Sequence, residues 1–210
     1  MSVDHPYPFL ERPEVVALIP PARRLLDVGC GRGGFGFALR RGSRRVDELW
    51  GIEPHPEAAE EAKTHFDHVI TGMYPDDLPA EERFDVVVFN DVLEHMPDPW
   101  GALESTRGIL TPEGRVVASI PNIRYWPILW DLVVRGRWTY TDTGTLDRTH
   151  LRFFTRGSAL ALFRDAGYDV ERVERGYRLE QHGGRFNRRF LLLPSELRTL
   201  QFLIVARAAR

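Results

Sequence analysis

The chain has a single cysteine, Cys30, in 210 residues, so no intramolecular disulfide can form and the usage suits a reducing compartment. It has no excess charge of one sign. Lys+Arg is 28 against Asp+Glu 30, a formal net charge of −2, so no basic field runs along a whole face to draw in polyphosphate. Nucleic acid is therefore not an expected partner, and the balance favours a small-molecule substrate. Lysine is almost missing: Lys63 is the only one, and the remaining basic residues are arginine. There is no long hydrophobic run either. The most apolar stretch, 126–134, is broken by Pro127 and Asp131 and falls far short of the roughly 20 residues that span a bilayer, so no transmembrane segment is expected. The opening MSVDHPYPFLERPE carries acid and proline where a secretory leader needs a basic and then an apolar segment, which points to a cytoplasmic protein. Repeats and low-complexity blocks are also lacking.

What is present is enough for one domain spanning 1–210: 24.1 kDa with 43% hydrophobic side chains. Val/Ile/Leu-rich segments alternate with helical patterns, the signature of an α/β fold with a mostly parallel sheet between helices. Strands are expected at 24–28, 48–53, 68–71, 84–90, 115–120, 169–173 and 200–206. Helices are expected at 34–41, 56–66 and 98–110, with a further one from an N-cap at Thr155 through Ala166 to Gly167. TPEG at 111–114 reads as a turn, and 176–195 as a loop. The last strand, or the aromatic insertion described below, offers a way for two chains to pair into a homo-oligomer.

At the end of the first strand stands LLDVGCGRGGFG, a glycine-rich turn at the carboxyl edge where open α/β sheets bind ligands. Gly29, Gly31 and Gly34 satisfy GxGxxG, and Glu53 follows about 20 residues on, so the turn alone is compatible with a nicotinamide dinucleotide. Asp27 separates the two cases. A carboxylate two residues before the first glycine repels a pyrophosphate and attracts an ammonium group.

With GIEP at 51–54, FDVVVFNDVLEHMPDP at 84–99 and LTPEGRVVASIPN at 110–122, the sequence resembles the class I S-adenosylmethionine-dependent methyltransferases. The resemblance implies a Rossmann-like, doubly wound seven-stranded sheet and S-adenosylmethionine as cofactor. It implies that Asp27 with the backbone of Gly29, Cys30, Gly31 and Gly33 holds the methionine moiety. Glu53, next to Pro54, would accept hydrogen bonds from the ribose hydroxyls. Met73 and Tyr74 would border the adenine, where an acid frequent in the family is missing here, and Asn90 and Asp91 would close the cofactor site.

After the fourth strand, Asp91, Glu94 and His95 stand close together, and His150 lies far downstream in LDRTH. Two carboxylates and imidazole nitrogens suit Mg²⁺ or Mn²⁺. The set is similar to the ExxEH segment plus distant histidine of the small-RNA 3′-terminal 2′-O-methyltransferases, with Asp91 in place of the first Glu. A second reading needs no ion: His95 or His150, titrating near neutrality, takes the proton from an acceptor hydroxyl as the methyl transfers. Both readings make the reaction an in-line displacement at the sulfonium methyl.

Between the fifth strand and Thr155, the segment 122–150 is too long for an ordinary βα loop and too apolar for a linker. It reads as an inserted lid, crowded with Tyr125, Trp126, Trp130, Trp138 and Tyr140. TGTLDRTHLRFFTRGSALALFRDAGY also resembles bacterial methyltransferases of glycan and polysaccharide biosynthesis, which implies O-methylation of a carbohydrate acceptor. Arg185, Arg188 and Arg189 in the 183–189 loop offer forked donors to phosphate, or a solvated surface.

Overall fold

The protein is described from a computed structural model covering residues 8–42, 46–178 and 193–209. The elements run α1 (Pro13–Val16), β1 (Ala22–Val28), α2 (Gly34–Arg41), β2 (Val46–Glu53), α3 (Pro56–Ala62), β3 (His68–Thr71) and β4 (Phe84–Asn90). They continue with α4 (Pro99–Ile109), β5 (Leu110–Pro121), α5 (Trp126–Arg135), α6 (Arg156–Asp165), β6 (Tyr168–Arg178) and β7 (Thr199–Ala208). They build one seven-stranded sheet in the order β3-β2-β1-β4-β5-β7-β6, with β7 antiparallel to both neighbours and the other pairings parallel. The strand order reverses between β1 and β4, which places the ligand crevice of such a sheet at the ends of those two strands.

Strand β4 shows why the sheet takes a helix layer on each face. Val87 and Phe89 join a core cluster with Leu103 of α4 and Leu162 and Phe163 of α6. Val86 and Val88 join the opposite cluster with Phe35 and Leu39 of α2 and Ala62 of α3. A strand buried on both faces reads as a continuous apolar run, which FDVVVFN is. Helix α6 begins where its N-cap demands: Thr155 accepts from Ser158 N at 3.2 Å while the Ser158 hydroxyl accepts from Thr155 N at 2.9 Å.

Four expectations need correction. Helix α3 ends at Ala62, because the chain turns there to press Phe66 against Gly36, whose added Cβ would stand 2.4 Å from the ring. TPEG lies within β5 as an irregularity, with Leu110 paired to Phe84 and Arg115 to Val86, so the extra residues bulge out of the ladder. Strand β6 continues through Gly176 to Arg178, while Arg185, Arg188 and Arg189 lie outside the described residues. The last strand, β7, sits between β5 and β6 with both edges paired, so it is not an edge through which two chains could join. Among the described residues no helix is long and apolar enough to cross a membrane.

Candidate functional site

The turn after β1 is forced into shape by its glycines. Gly29, Gly31 and Gly33 all have positive φ, and a Cβ on Gly29 would lie 2.7 Å from Val92 Cγ2. Gly29→Ala therefore both strains the backbone and pushes Val92 aside, and it should cost about 1–3 kcal/mol, read as a lowered melting temperature. Gly29 N and Cys30 N donate to Ile52 O at 2.8 and 3.3 Å, which ties the turn to β2. Cys30 is buried, and burial pushes its thiol up, out of reach of thiolate chemistry.

Glu53, 1% exposed, closes the turn from the other side. Its Oε2 accepts from Gly31 N at 2.9 Å and its Oε1 from His55 N at 3.0 Å, so the carboxylate for which the family resemblance implies a ribose contact also shapes the glycine loop. Each oxygen retains a lone pair for a hydroxyl donor. Pro54 beside it is exposed. Asp27 is equally buried, and burial, only partly offset by the Asn90 amide 3.4 Å from Oδ1, pushes its carboxyl up to about 8. The Asn90 Oδ1 is buried without a hydrogen-bond partner among the described residues.

That shift has a consequence for an ammonium ligand. A carboxyl with a pKa of about 8 is largely protonated at neutral pH and must lose its proton to meet a cation. Affinity for S-adenosylhomocysteine should therefore rise by up to about tenfold per unit between about pH 6 and the Asp27 pKa, then level off. Calorimetry in buffers of differing ionisation enthalpy should detect a released proton; a pH-independent affinity over that range would contradict it.

After β3 the structure departs from expectation. Met73 is 57% exposed, and its N–H donates to Asp77 Oδ2 at 2.7 Å. Asp77 thus brings a carboxylate back to the segment where the sequence shows no acid. Tyr74 turns the other way: its ring packs edge-on to Phe89 and its hydroxyl shares a 2.7 Å hydrogen bond with Thr106 of α4. Burial raises that phenol to about 12. Its side chain is a core element, which leaves only the Tyr74 backbone for the adenine border that the resemblance implies.

The loop after β4 is held by a network the sequence does not announce. Asp91 adopts φ +53, its N–H donates to Ser119 Oγ at 2.9 Å, and its Oδ1 accepts from that hydroxyl at 2.9 Å. Gln201 Nε2 of β7 donates to both its carboxylate oxygens, at 3.0 and 3.1 Å. The fourth member is Arg12, only 6% exposed, whose guanidinium pairs with Asp91, donates to Glu14 Oε1 at 2.7 Å and reaches Gln201 Oε1 at 3.2 Å. Arg12 has its own positive φ of 50 and stands at the N-cap of α1. Single-sequence patterns carry no signal for such a contact across 79 positions.

Beyond Asp91, a short 3-10 turn, Leu93–His95, faces the segment that follows the insertion. Leu151 N and Arg152 N donate to Glu94 O at 2.8 and 3.0 Å, which brings His150 to the turn. Glu94, His95 and His150 each offer a ligand atom within 4.8 Å of one another. Asp91 is not in this group, because its carboxylate is consumed by Arg12, Gln201 and Ser119; the expected four-residue set is corrected to three. Glu94 is 1% exposed, and neither carboxylate oxygen has a hydrogen-bond partner among the described residues. Burial and then the nearby Asp91 hold its pKa well above the carboxylate range. The His150 Nδ1 lies 3.0 Å from Thr145 O, an arrangement that places a proton on Nδ1 and leaves the Nε2 lone pair 3.9 Å from Glu94 Oε1. His95 Nδ1 lies 3.1 Å from Thr149 Oγ1, and burial and then His150 lower its pKa, which favours the neutral ring of His95 as a ligand or base.

The insertion adds a cleft of about 320 Å³ that is linked to this cluster through Thr145, while Glu94, His95 and His150 do not themselves line it. Tyr125, Pro127, Ile128, Leu146 and Leu200 give it apolar walls, and Thr145, whose carbonyl orients His150, contributes a buried hydroxyl with no partner among the described residues.

A family model for the methyltransferase domain matches residues 7–173. The ubiquinone biosynthesis O-methyltransferase of Xanthomonas axonopodis pv. citri is 30% identical over 166 residues, 74% of this chain and 66% of that protein. The protein of the same name from Cereibacter sphaeroides strain KD131 is 31% identical over 154 residues, 70% of this chain and 60% of its own length. The chain thus spans less than two thirds of either relative. Among solved structures, 1,6-didemethyltoxoflavin-N1-methyltransferase of Burkholderia thailandensis, with S-adenosylhomocysteine bound, superimposes with a TM-score of 0.60 at 20% identity over 95% of this chain and 78% of that one.

Proposed function

The chain belongs to the S-adenosylmethionine-dependent methyltransferases, and from that premise we propose that it transfers a methyl group to a hydroxyl oxygen of a small acceptor. The observation that carries this reading is the buried Glu94 carboxylate, without a hydrogen-bond partner among the described residues, which stands with His95 and His150 and is linked through Thr145 to the cleft. Asp27 meets the methionine ammonium, Glu53 the ribose, and the backbone of 29–33 lets the cofactor approach closely. Tautomer and position suit His150 or His95 to accept the acceptor's proton while the 122–150 insertion, as a cover, aligns the oxygen with the sulfonium methyl.

Glu94, His95 and His150 also fit a divalent cation: one carboxylate and two imidazoles, with the carboxylate oxygens otherwise stranded in the interior. Mg²⁺ or Mn²⁺ held there would lower the pKa of an acceptor hydroxyl. The cleft has mixed walls, apolar at Tyr125, Ile128 and Leu146 and polar at Asp131, Arg137 and Thr139, and it is the relatives' naming for ubiquinone biosynthesis that supports a hydroxylated aromatic ring as acceptor, in preference to the carbohydrate suggested by the glycan-enzyme resemblance.

The test is transfer of labelled methyl from S-adenosylmethionine into separate pools of catechols, glycosides, nucleotide-sugars and small RNA. Label in the catechols supports this reading. Label confined to glycosides or nucleotide-sugars would replace the aromatic acceptor with a sugar, and label confined to RNA would displace the small-molecule reading altogether.

A further inference from the structure

The cleft under the insertion contains a cation that the fold leaves unmatched. Its two charged lining residues are Asp131 and Arg137. Asp131 is already held by Arg135, whose Nη1 donates to its Oδ1 at 2.8 Å. Arg137 differs. Gly136, at φ +62, turns the chain at the end of α5, and Arg137 N donates to Asp131 O at 2.9 Å, which fixes where the residue stands. Its side chain is exposed and makes no ion pair with a described residue.

Another part of the wall is preformed. Thr141 N donates to Leu146 O at 2.9 Å, Arg148 N to Thr141 O at 3.0 Å and Asp147 N to Gly144 O at 3.0 Å, so backbone bonds alone set Thr145 and Leu146 in place. Thr145 is 7% exposed, and its hydroxyl lacks a hydrogen-bond partner among the described residues. A buried hydroxyl left unpaired is destabilising, and a ligand oxygen at this wall would satisfy it. Tyr125, Ile128 and Leu200 supply apolar surface for the body of such a ligand.

These features define a ligand class. A volume of about 320 Å³ is at the small end of small-molecule sites and suits one ring with a short arm. A planar, singly charged carboxylate matches the forked donors of a lone arginine. A phosphate dianion fits less well, since a single free cation would face its two charges with Asp131 also in the wall. We propose that the cleft is a recognition subsite for an aryl carboxylate, with Arg137 gripping the carboxylate and Thr145 hydrogen-bonding to the ligand. Thr145 also ties the subsite to the reacting groups, because its carbonyl stands 3.0 Å from His150 Nδ1. Assigning the carboxylate to the methyl acceptor rests on the proposed O-methylation of an aromatic hydroxyl; the binding itself does not.

The experiment is calorimetric titration of the full chain, saturated with S-adenosylhomocysteine, with 3,4-dihydroxycinnamate and with its methyl ester. The acid should bind at least about tenfold more tightly than the ester. Arg137→Met should abolish that preference by weakening the acid alone, and Arg137→Lys, which keeps the charge without the fork, should retain only part of it. The Arg137 side chain is exposed, so thermal unfolding of both variants should match that of the parent. If the variants are unstable, the parent's preference for acid over ester decides alone. Equal binding of acid and ester, absence of acid binding, or a folded Arg137→Met variant that keeps the preference would overturn the proposal. Phenyl phosphate that binds more tightly than the acid would overturn the choice of carboxylate. Labelled-methyl transfer to the same two compounds separates the subsite from the reaction. Binding that prefers the acid through Arg137, with neither compound methylated, would keep the subsite and remove the acceptor; methylation of both at equal KM would keep the reaction and remove the subsite.

Discussion

Replacing Glu53 with alanine should raise the calorimetric dissociation constant for S-adenosylhomocysteine about a hundredfold, equivalent to about 2.7 kcal/mol. Two losses combine. The ribose hydroxyls lose a charged acceptor, and Gly31 N and His55 N lose the oxygens that hold them at 2.9 and 3.0 Å. Because Glu53 is 1% exposed and those two N–H groups would be left unpaired, the melting temperature should also fall. This differs from the expectation drawn from ribose contact alone, in which stability hardly changes. Glu53→Gln, which keeps one acceptor oxygen, should lose about tenfold in affinity. A fall in melting temperature with unchanged affinity would mean that the carboxylate serves only the loop.

His150→Ala should act on turnover instead. The imidazole stands beside Glu94 and His95, where we propose the acceptor is activated, and makes no described contact with the glycine loop. A fall in kcat of about 10²–10³ is expected, with S-adenosylhomocysteine affinity changed less than about threefold. Glu94→Gln separates two roles within the cluster. If the carboxylate is a cation ligand, the variant should need far more Mn²⁺ for half-maximal activity. If it is a positioning group alone, kcat should fall at every Mn²⁺ concentration. Full activity in His150→Ala would remove that residue from the chemistry.

The sheet was readable in the sequence because its central strands are buried on both faces: the run at 84–90 has no alternation to misread, and both glycine turn and acid stand at the ends of such runs. Thr155 was legible as a cap because its capping box is local. What escaped is non-local. Arg12 reaches Asp91 through a left-handed residue, which no periodicity reveals, and in doing so it takes Asp91 out of the expected metal set. The bulge of TPEG depends on the register of β4 against β5, not on its own turn-forming residues. Nor does local order announce that Tyr74 finds Thr106 and Phe89 in the core while Asp77 folds back onto Met73 N. His150 was legible as a candidate by residue type, but its approach to Glu94 rests on backbone hydrogen bonds from 151 and 152.

The most direct test of the account is transfer of labelled methyl from S-adenosylmethionine to a catechol by chelator-treated protein, with and without added Mn²⁺, the product oxygen being located by mass spectrometry. The account predicts an O-methylated catechol, and a rate at least about tenfold lower without the ion would make the cluster a cation site. Equal rates in chelator would leave histidine base catalysis at the Glu94, His95 and His150 cluster and contradict the cation. Absence of methyl transfer to any hydroxyl under either condition, in protein that binds S-adenosylhomocysteine, would contradict the central claim.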